Sequence, residues 1–367
     1  MKEVKWGIIA AGSIANAFAH SIKYSENATL SCVLGRNEEK VNSFAEKHNC
    51  QPYLDLESFL DSGIEAVYVA TPHDSHFHYS MEAINRKLHV LCEKPLSVNS
   101  TEAMILINEA KKNDVFLMEA FMYRTHPQTF EILELCKKYL KNANVKILSS
   151  FGFDAPVDKS HRLRNLNLAG GAILDVGCYP LSMARLIAGT LNDEKYLDPK
   201  SIEVKGILDT TGVDNKSSAN LIFSDNISAY IETSINEELQ NNLIIKSDKV
   251  EIEVFEPWHC GQFQEGKYSI ELNLEGKKTV ISNKDEVGLF TREINEASKC
   301  ILLGDSESSL MSHKDSLGNM LWLEKWYLES GVKYPQNIVE NSPIFASRYK
   351  PVVKLEKSEI EEISKKG

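Results

Sequence analysis

Much of what would assign this 367-residue chain at a glance is missing from it. The seven cysteines, at 32, 50, 92, 136, 178, 260 and 300, are scattered and odd in number, with no C-x-x-C pair. That spacing excludes a disulfide framework and a cysteine zinc site, and it makes a reducing compartment, the cytoplasm, the expected location. Positive charge is also in deficit: 41 Lys and Arg stand against 52 Asp and Glu, a net charge of −11. Nucleic acids and anionic membranes are bound through a basic face, so neither is an expected partner. No apolar run approaches the roughly 20 residues that span a bilayer. The chain enters an apolar strand within its first few residues, so no signal peptide is expected. Repeats and low-complexity segments are absent as well. Even 10-AAGSIA-15, the stretch most like a dinucleotide loop, has one glycine where G-x-G-x-x-G has three.

What remains is an ordinary globular composition, 43% hydrophobic and 25% charged, with enough length for about two domains. Over the first 120 residues two periods alternate. Apolar runs at 4–10, 28–35, 65–70, 88–92 and 115–120 read as strands, and amphipathic patterns at 13–24, 38–48, 76–87 and 101–113 read as helices. Strands that are apolar throughout, separated by such helices, predict a doubly wound parallel sheet covered on both faces, with ligands at the strands' carboxyl ends. After about residue 124 the rhythm changes. A helix over 126–140 leads to a strand at 145–153 and a short helix at 178–188. Strand-like runs at 217–223, 226–234, 242–247, 250–255 and 267–273, joined by turns, predict an open, mainly antiparallel sheet. Helices are expected again at 286–303 and 307–330. The reading is therefore α/β, a Rossmann domain over 1–122 followed by an α+β domain over 123–330. Residues 331–367 are expected to pack back on the body.

Several motifs carry chemistry on that frame. Gly12 holds the middle place of the fingerprint, where a bare backbone meets a pyrophosphate, with Ser13 and Ile14 opening the helix. At the end of the second strand, where an NAD enzyme presents an acid, stand Gly35 and Arg36. A guanidinium pairs with a 2′-phosphate, so NADP is the expected cofactor, Lys40 its possible second cation, and NAD the alternative. The third strand ends in Thr71-Pro72-His73, with His76 one turn on, at the edge that faces a cofactor. Two histidines without a supporting carboxylate or thiol cluster do not make a metal site, and none is expected. Glu93-Lys94-Pro95 sets a lysine at the end of a buried strand, and proline pushes that lysine toward an extended conformation. Asp175 and Tyr179 are four apart and share a helix face if the helix has begun. Read for structure alone, Asp175 is a helix cap and Tyr179 a core aromatic. Together with Lys94 they form a set able to move a proton on a carbinol oxygen.

With these residues in view, the chain resembles the Gfo/Idh/MocA oxidoreductases. The resemblance rests on the Gly12 turn, 70-ATPHDSH-76, Glu93-Lys94-Pro95, 119-EAFMYRTHPQ-128 and 171-GAILDVGCYP-180. It is nearest the dihydrodiol and NADP-linked sugar dehydrogenase branch, to which Ala10 and a tyrosine at 179 point. The resemblance implies hydride transfer between NADP and a secondary or anomeric carbinol of a sugar, polyol or trans-diol. It further implies Lys94, Tyr179 and Asp175 as catalytic residues, and a homodimer formed through the open sheet. Glu93 and Met122 are carried over as cofactor contacts and Arg124 and Arg162 as contacts to cofactor or substrate, while Phe153, His161 and Trp258 are expected to shape the substrate pocket. Lys94 is expected to lower the pKa of Tyr179, and Asp175 to pair with Lys94 or the substrate hydroxyl. A non-catalytic NADP-sensing protein on the same scaffold is the alternative.

Overall fold

The computed structural model describes residues 2–337. Its first sheet has six parallel strands: β1 (Val4–Ile9), β2 (Ala28–Leu34), β3 (Gln51–Tyr53), β4 (Ala66–Val69), β5 (His89–Glu93) and β6 (Leu117–Ala120). Their order is β3-β2-β1-β4-β5-β6. Successive crossovers therefore run one way from β1 to β3 and the other way from β4 to β6. Right-handed crossovers then put the two sets of helices on opposite faces and leave a crevice between β1 and β4. Those helices are α1 (Ser13–Ser21), α2 (Glu38–His48), α3 (Leu56–Leu60), α4 (His76–Asn85) and α5 (Ser100–Asn113). Asn37, Asp55 and Asn99 start α2, α3 and α5 by accepting a backbone N–H of the first turn. At the start of α1 stands Gly12, and no side chain caps that turn.

Helix α6 (Pro127–Tyr139) leads into the second sheet, beginning with β7 (Val145–Gly152). The chain then forms a π-helical turn over Ile173–Gly177 that runs directly into α7 (Cys178–Leu191). Seven strands follow: β8 (Ser201–Leu208), β9 (Asp214–Ser224), β10 (Ile227–Ser234), β11 (Leu243–Lys246), β12 (Val250–Val254), β13 (Lys267–Leu274) and β14 (Lys277–Lys284). The sheet order is β14-β13-β12-β11-β7-β10-β9-β8. All neighbours are antiparallel except β7 and β10, which pair in parallel because the chain returns between them through α7 and the β8–β9 hairpin. Every residue of α7 is buried. The stretch 166–191 is long and apolar enough to meet the length and composition of a membrane span, which corrects the expectation that no such run occurs; it lies wholly inside the fold.

The last two helices return to the first sheet. Helix α8 (Leu289–Leu303) packs on α1 and β1, where Trp6 Nε1 donates to Ser298 Oγ. Helix α9 (His313–Glu329) packs on α5, α7 and β6. Both halves thus share one continuous apolar core. Beyond α9, Tyr334 and Gln336 tie back to the carbonyls of Gly170 and Asn167, and the rest of the expected C-terminal segment, 338–367, lies outside the described residues.

Candidate active site

The carboxyl ends of β1, β2 and β4 form the wall of a pocket of about 200 Å³, among whose lining residues are Ala10, Gly35, Arg36, Thr71, Pro72 and Tyr79. Arg36 makes no ion pair among the described residues, so its guanidinium is available to an anion. A Cβ built on Gly12 meets nothing within 4 Å, and the backbone there is open to the crevice. The first N–H groups of α1, from Ser13 and Ile14, point out of a helix start with no side-chain cap. Free donors, the positive end of the helix dipole and bare backbone are what a pyrophosphate requires. The residues present fit a dinucleotide. Lys40 lies one groove further along, with Asn16, Asn37 and Lys47.

The second element of the site is built where β5 ends against the π-helical turn. Lys94 Nζ donates to the backbone carbonyl of Asp175 at 2.6 Å and lies 5.1 Å from the centroid of the Tyr179 ring. The bond between Lys94 and Pro95 is cis. The Asp175 carboxylate is paired elsewhere: Arg162 Nη1 donates to its Oδ1 at 2.8 Å. Of the two partners expected for this carboxylate, Lys94 and the substrate hydroxyl, Lys94 takes the Asp175 carbonyl instead. Burial pushes the Asp175 pKa up, but the charges of Lys94 and Arg162 outweigh it and hold the group at about 2. Asp175 is an anion at any working pH.

His73 closes the same corner. Its Nδ1 is 2.9 Å from the Ala169 carbonyl, which assigns the proton to that nitrogen and leaves Nε2 bare, 3.7 Å from Asp175 Oδ1. Burial holds its pKa at about 3 despite the carboxylate, so the ring is neutral. Glu93 faces inward behind Lys94, accepting from the Tyr68 hydroxyl and from the Lys94 N–H.

Tyr179 stands in the first turn of α7 within a cage of rings, with centroids 5.3 Å to Phe151, 5.5 Å to Phe121 and 6.0 Å to Trp258. Here the electrostatics reverse the expectation. Burial, and after it the negative charge of Glu93, raises the Tyr179 pKa well above its ordinary value. The phenol keeps its proton, and Lys94 does not make it a tyrosinate.

Other predicted residues are relocated by their surroundings. His76 is buried, with Nδ1 2.7 Å from the Pro95 carbonyl and Nε2 2.9 Å from the Thr71 carbonyl. Both nitrogens face protein, so His76 is a strut between two cleft loops and not a cofactor contact. Arg124 is likewise corrected: its guanidinium is buried, ion-paired with Asp315, and bonded to Ser182 Oγ and the Leu310 carbonyl. All of its nitrogens are engaged in joining the turn after β6 to α7 and α9. Trp258 is 1% exposed and donates to the Ser150 carbonyl, so it backs the Tyr179 cage without surfacing in the cleft. Phe153 packs on the small Leu163, Ala172 and Ile235 cluster. His161 is exposed, and its Nδ1 accepts from Leu163 N at the start of a short turn. Met122 is buried in the turn after β6. Arg162 stays half-exposed beside Asp175. Tyr79 and His259 are additions: Tyr79 lines the nucleotide pocket one turn after Ser75, and His259 sits 5.6 Å from Phe151 at the rim of the cage.

A doubly wound sheet with an anion-ready helix start, meeting a lysine, a buried aspartate and a tyrosine at its carboxyl edge, defines a nucleotide-dependent oxidoreductase. The chain belongs to the Gfo/Idh/MocA family: the model of its NAD-binding Rossmann oxidoreductase domain matches residues 4–121, and that of its C-terminal domain matches 144–254. A trans-1,2-dihydrobenzene-1,2-diol dehydrogenase from Xenopus tropicalis is 31% identical over 90% of this chain and 99% of its own length. The NADP⁺-dependent D-xylose 1-dehydrogenase of Hypocrea jecorina is 27% identical over 91% and 94%. Among solved structures, a 3-ketoreductase from Actinomadura kijaniata superposes with a TM-score of 0.80 at 18% identity, covering 91% of this chain and 99% of that one. At that identity the likeness carries the fold alone.

Proposed function

We propose that the protein is an NADP(H)-dependent oxidoreductase that moves hydride between the nicotinamide and a secondary or anomeric carbinol of a sugar, polyol or trans-diol. The observation that carries this reading is the convergence of Lys94 Nζ, the Asp175 carbonyl and the Tyr179 ring at the edge of a nucleotide crevice. The substrate class follows the names of the relatives, which act on dihydrodiols and on xylose.

Each part of the chain has a task in this reading. Gly12, Ser13 and Ile14 would hold the pyrophosphate, Arg36 would pair with the 2′-phosphate, and Thr71 and Pro72 would line the ribose side of the pocket. When bound, the nicotinamide gives or takes the hydride. Tyr179 keeps its proton and donates a hydrogen bond to the substrate oxygen. Aimed by the Asp175 carbonyl, Lys94 Nζ works in two protonation states: in the reducing direction its ammonium offsets the charge that develops on that oxygen and gives it a proton, and in the oxidising direction its neutral amine takes the carbinol proton. The Asp175 carboxylate holds the half-exposed Arg162 guanidinium beside the site. The test is an NADP⁺ reduction screen over aldoses, inositols, polyols and trans-diols, repeated with NAD⁺. A secondary or anomeric donor with NADP⁺ preference supports the reading; no turnover on any member sinks it.

A homodimer through the second sheet belongs to the same proposal. Ile244, Leu148 and Tyr230 stand in register across neighbouring strands on the face turned away from α7, in a half-exposed apolar row. Sedimentation of the wild type and of Leu148→Glu tests it: a dimer that the substitution splits is expected, and a monomeric wild type contradicts it. A cytoplasmic location is the matching proposal for seven free thiols.

A further inference from the structure

A helix start leaves backbone N–H groups without partners, and a side chain just before the helix normally accepts one of them. The helix that presents Asp175 and Tyr179 has no such local cap. Its cap comes from another element. Asp214, the first residue of β9 and fully buried, accepts the Ile173 N–H on Oδ2 at 2.7 Å. A buried carboxyl group is costly to keep unless it is bonded, and the other oxygen, Oδ1, has no protein partner. That oxygen lies against Gly171, whose φ is +116°; a Cβ there would come within 2.3 Å of it. The turn is thus pressed onto the carboxyl so closely that no side chain fits between them.

The neighbouring backbone is tied as firmly. Tyr334 donates its hydroxyl proton to the Gly170 carbonyl at 2.6 Å, and Thr233 Oγ1 donates to the Ala172 carbonyl at 3.1 Å. Two residues beyond Ile173 is Asp175, whose carbonyl meets Lys94 Nζ. Whatever fixes Ile173 fixes that meeting.

We infer that Asp214 is a positioning residue for the reaction proposed above: it caps the reactive helix from β9 and sets the place of the Asp175 carbonyl against Lys94. This rests on the reading of Lys94 as the proton-handling group. Its effect is on geometry, where a displacement of about 1 Å costs about a hundredfold in rate.

The test compares Asp214→Ala, Asp214→Asn, Tyr334→Phe and Lys94→Met, using NADP⁺ and the best donor of the panel. Asp214→Ala is expected to lower kcat by about tenfold to a hundredfold while the NADPH Kd stays within about twofold. Asparagine keeps an oxygen for the Ile173 N–H and is expected to restore kcat to within about threefold of wild type, a rescue that a requirement for charge would not give. If Asp214→Ala does not fold, Tyr334→Phe, which cuts another tether of the same turn, is expected to lower kcat at least about threefold with NADPH Kd unchanged. A folded Asp214→Ala, or in its place Tyr334→Phe, with wild-type kcat overturns the inference. Should Lys94→Met keep wild-type turnover, the reading of the site has failed and not merely the positioning. A readout independent of turnover is the crystal structure of the Asp214→Ala protein, or of the Tyr334→Phe protein in its place. There Lys94 Nζ and the Asp175 carbonyl are expected beyond about 3.5 Å, outside hydrogen-bond reach; an unchanged contact overturns the inference.

Discussion

Ala10 occupies the place where the dinucleotide fingerprint has its first glycine, and its φ is +91°. An L-residue held at such an angle costs about 1–3 kcal/mol, because Cβ crowds the backbone. Ala10→Gly removes that crowding and leaves the bond from its N–H to the Leu34 carbonyl (2.8 Å) in place. Against the gain stands the larger freedom glycine has in the unfolded chain, about 0.5–1 kcal/mol. The balance is a stabilisation of about 1 kcal/mol, which in a chain of this size raises the melting midpoint by about 2 °C. Urea unfolding with and without NADPH is the assay. The midpoint should rise at constant m, and the NADPH-dependent increment should persist, since the first turn of α1 is untouched. A fall of about 0.5–1 kcal/mol would refute the reasoning, because it would mean that alanine sits there without strain and that glycine adds only its entropy.

Arg36→Glu should weaken NADP⁺ binding by about tenfold to a hundredfold, the worth of a charge-assisted bond replaced by repulsion, with a smaller effect on NAD⁺; fluorescence titration of both cofactors checks it. Arg124→Met should destabilise the fold by about 1–3 kcal/mol, since it removes one of the two guanidinium groups on the buried Asp315 carboxylate and leaves Arg185 as its partner, and should leave substrate KM unchanged; a stable protein with a raised KM would restore Arg124 to the cleft. Glu119 accepts the Leu96 N–H at 2.9 Å, and burial lifts its pKa to about 7. A folded pKa above the unfolded one favours folding in full below about pH 4, and that advantage is lost as pH rises through 7. Glu119→Gln should therefore shrink the fall in unfolding free energy between pH 5 and pH 9 by about 2 kcal/mol, read from denaturant curves at each pH.

The parallel sheet was legible because β1, β2, β4 and β5 are apolar on both faces and their helices carry cap residues such as Asn37 and Asn99. Among the elements the periodicity does not predict, two are polar or short. Strand β3 has three residues, one a proline, at a sheet edge, and β14 is a mostly exposed lysine-rich edge whose strand character comes from its pairing with β13. The parallel pairing of β7 with β10 is set by a connection of 74 residues between Gly152 and Ile227, a distance at which local pattern carries no register.

In the site, motif spacing brought Lys94, Asp175 and Tyr179 together but not their partners. Arg124 reads as a cleft arginine until Asp315, 191 residues away, claims it. Asp175 reads as a partner of Lys94 or of the substrate hydroxyl until Arg162 takes the carboxylate and leaves Lys94 the carbonyl. The burial that raises the Tyr179 pKa and the nearby Glu93 charge are tertiary facts, and the trans cap by Asp214 spans 41 residues.

The proposed reaction rests on Lys94 and Tyr179 acting on a carbinol oxygen. Its most direct test is single-turnover hydride transfer by Lys94→Met and Tyr179→Phe, each first shown by fluorescence to bind NADPH as the wild type does. A loss of at least about a hundredfold in each, with cofactor affinity kept, is the predicted result. Rates near wild type in both would contradict the account.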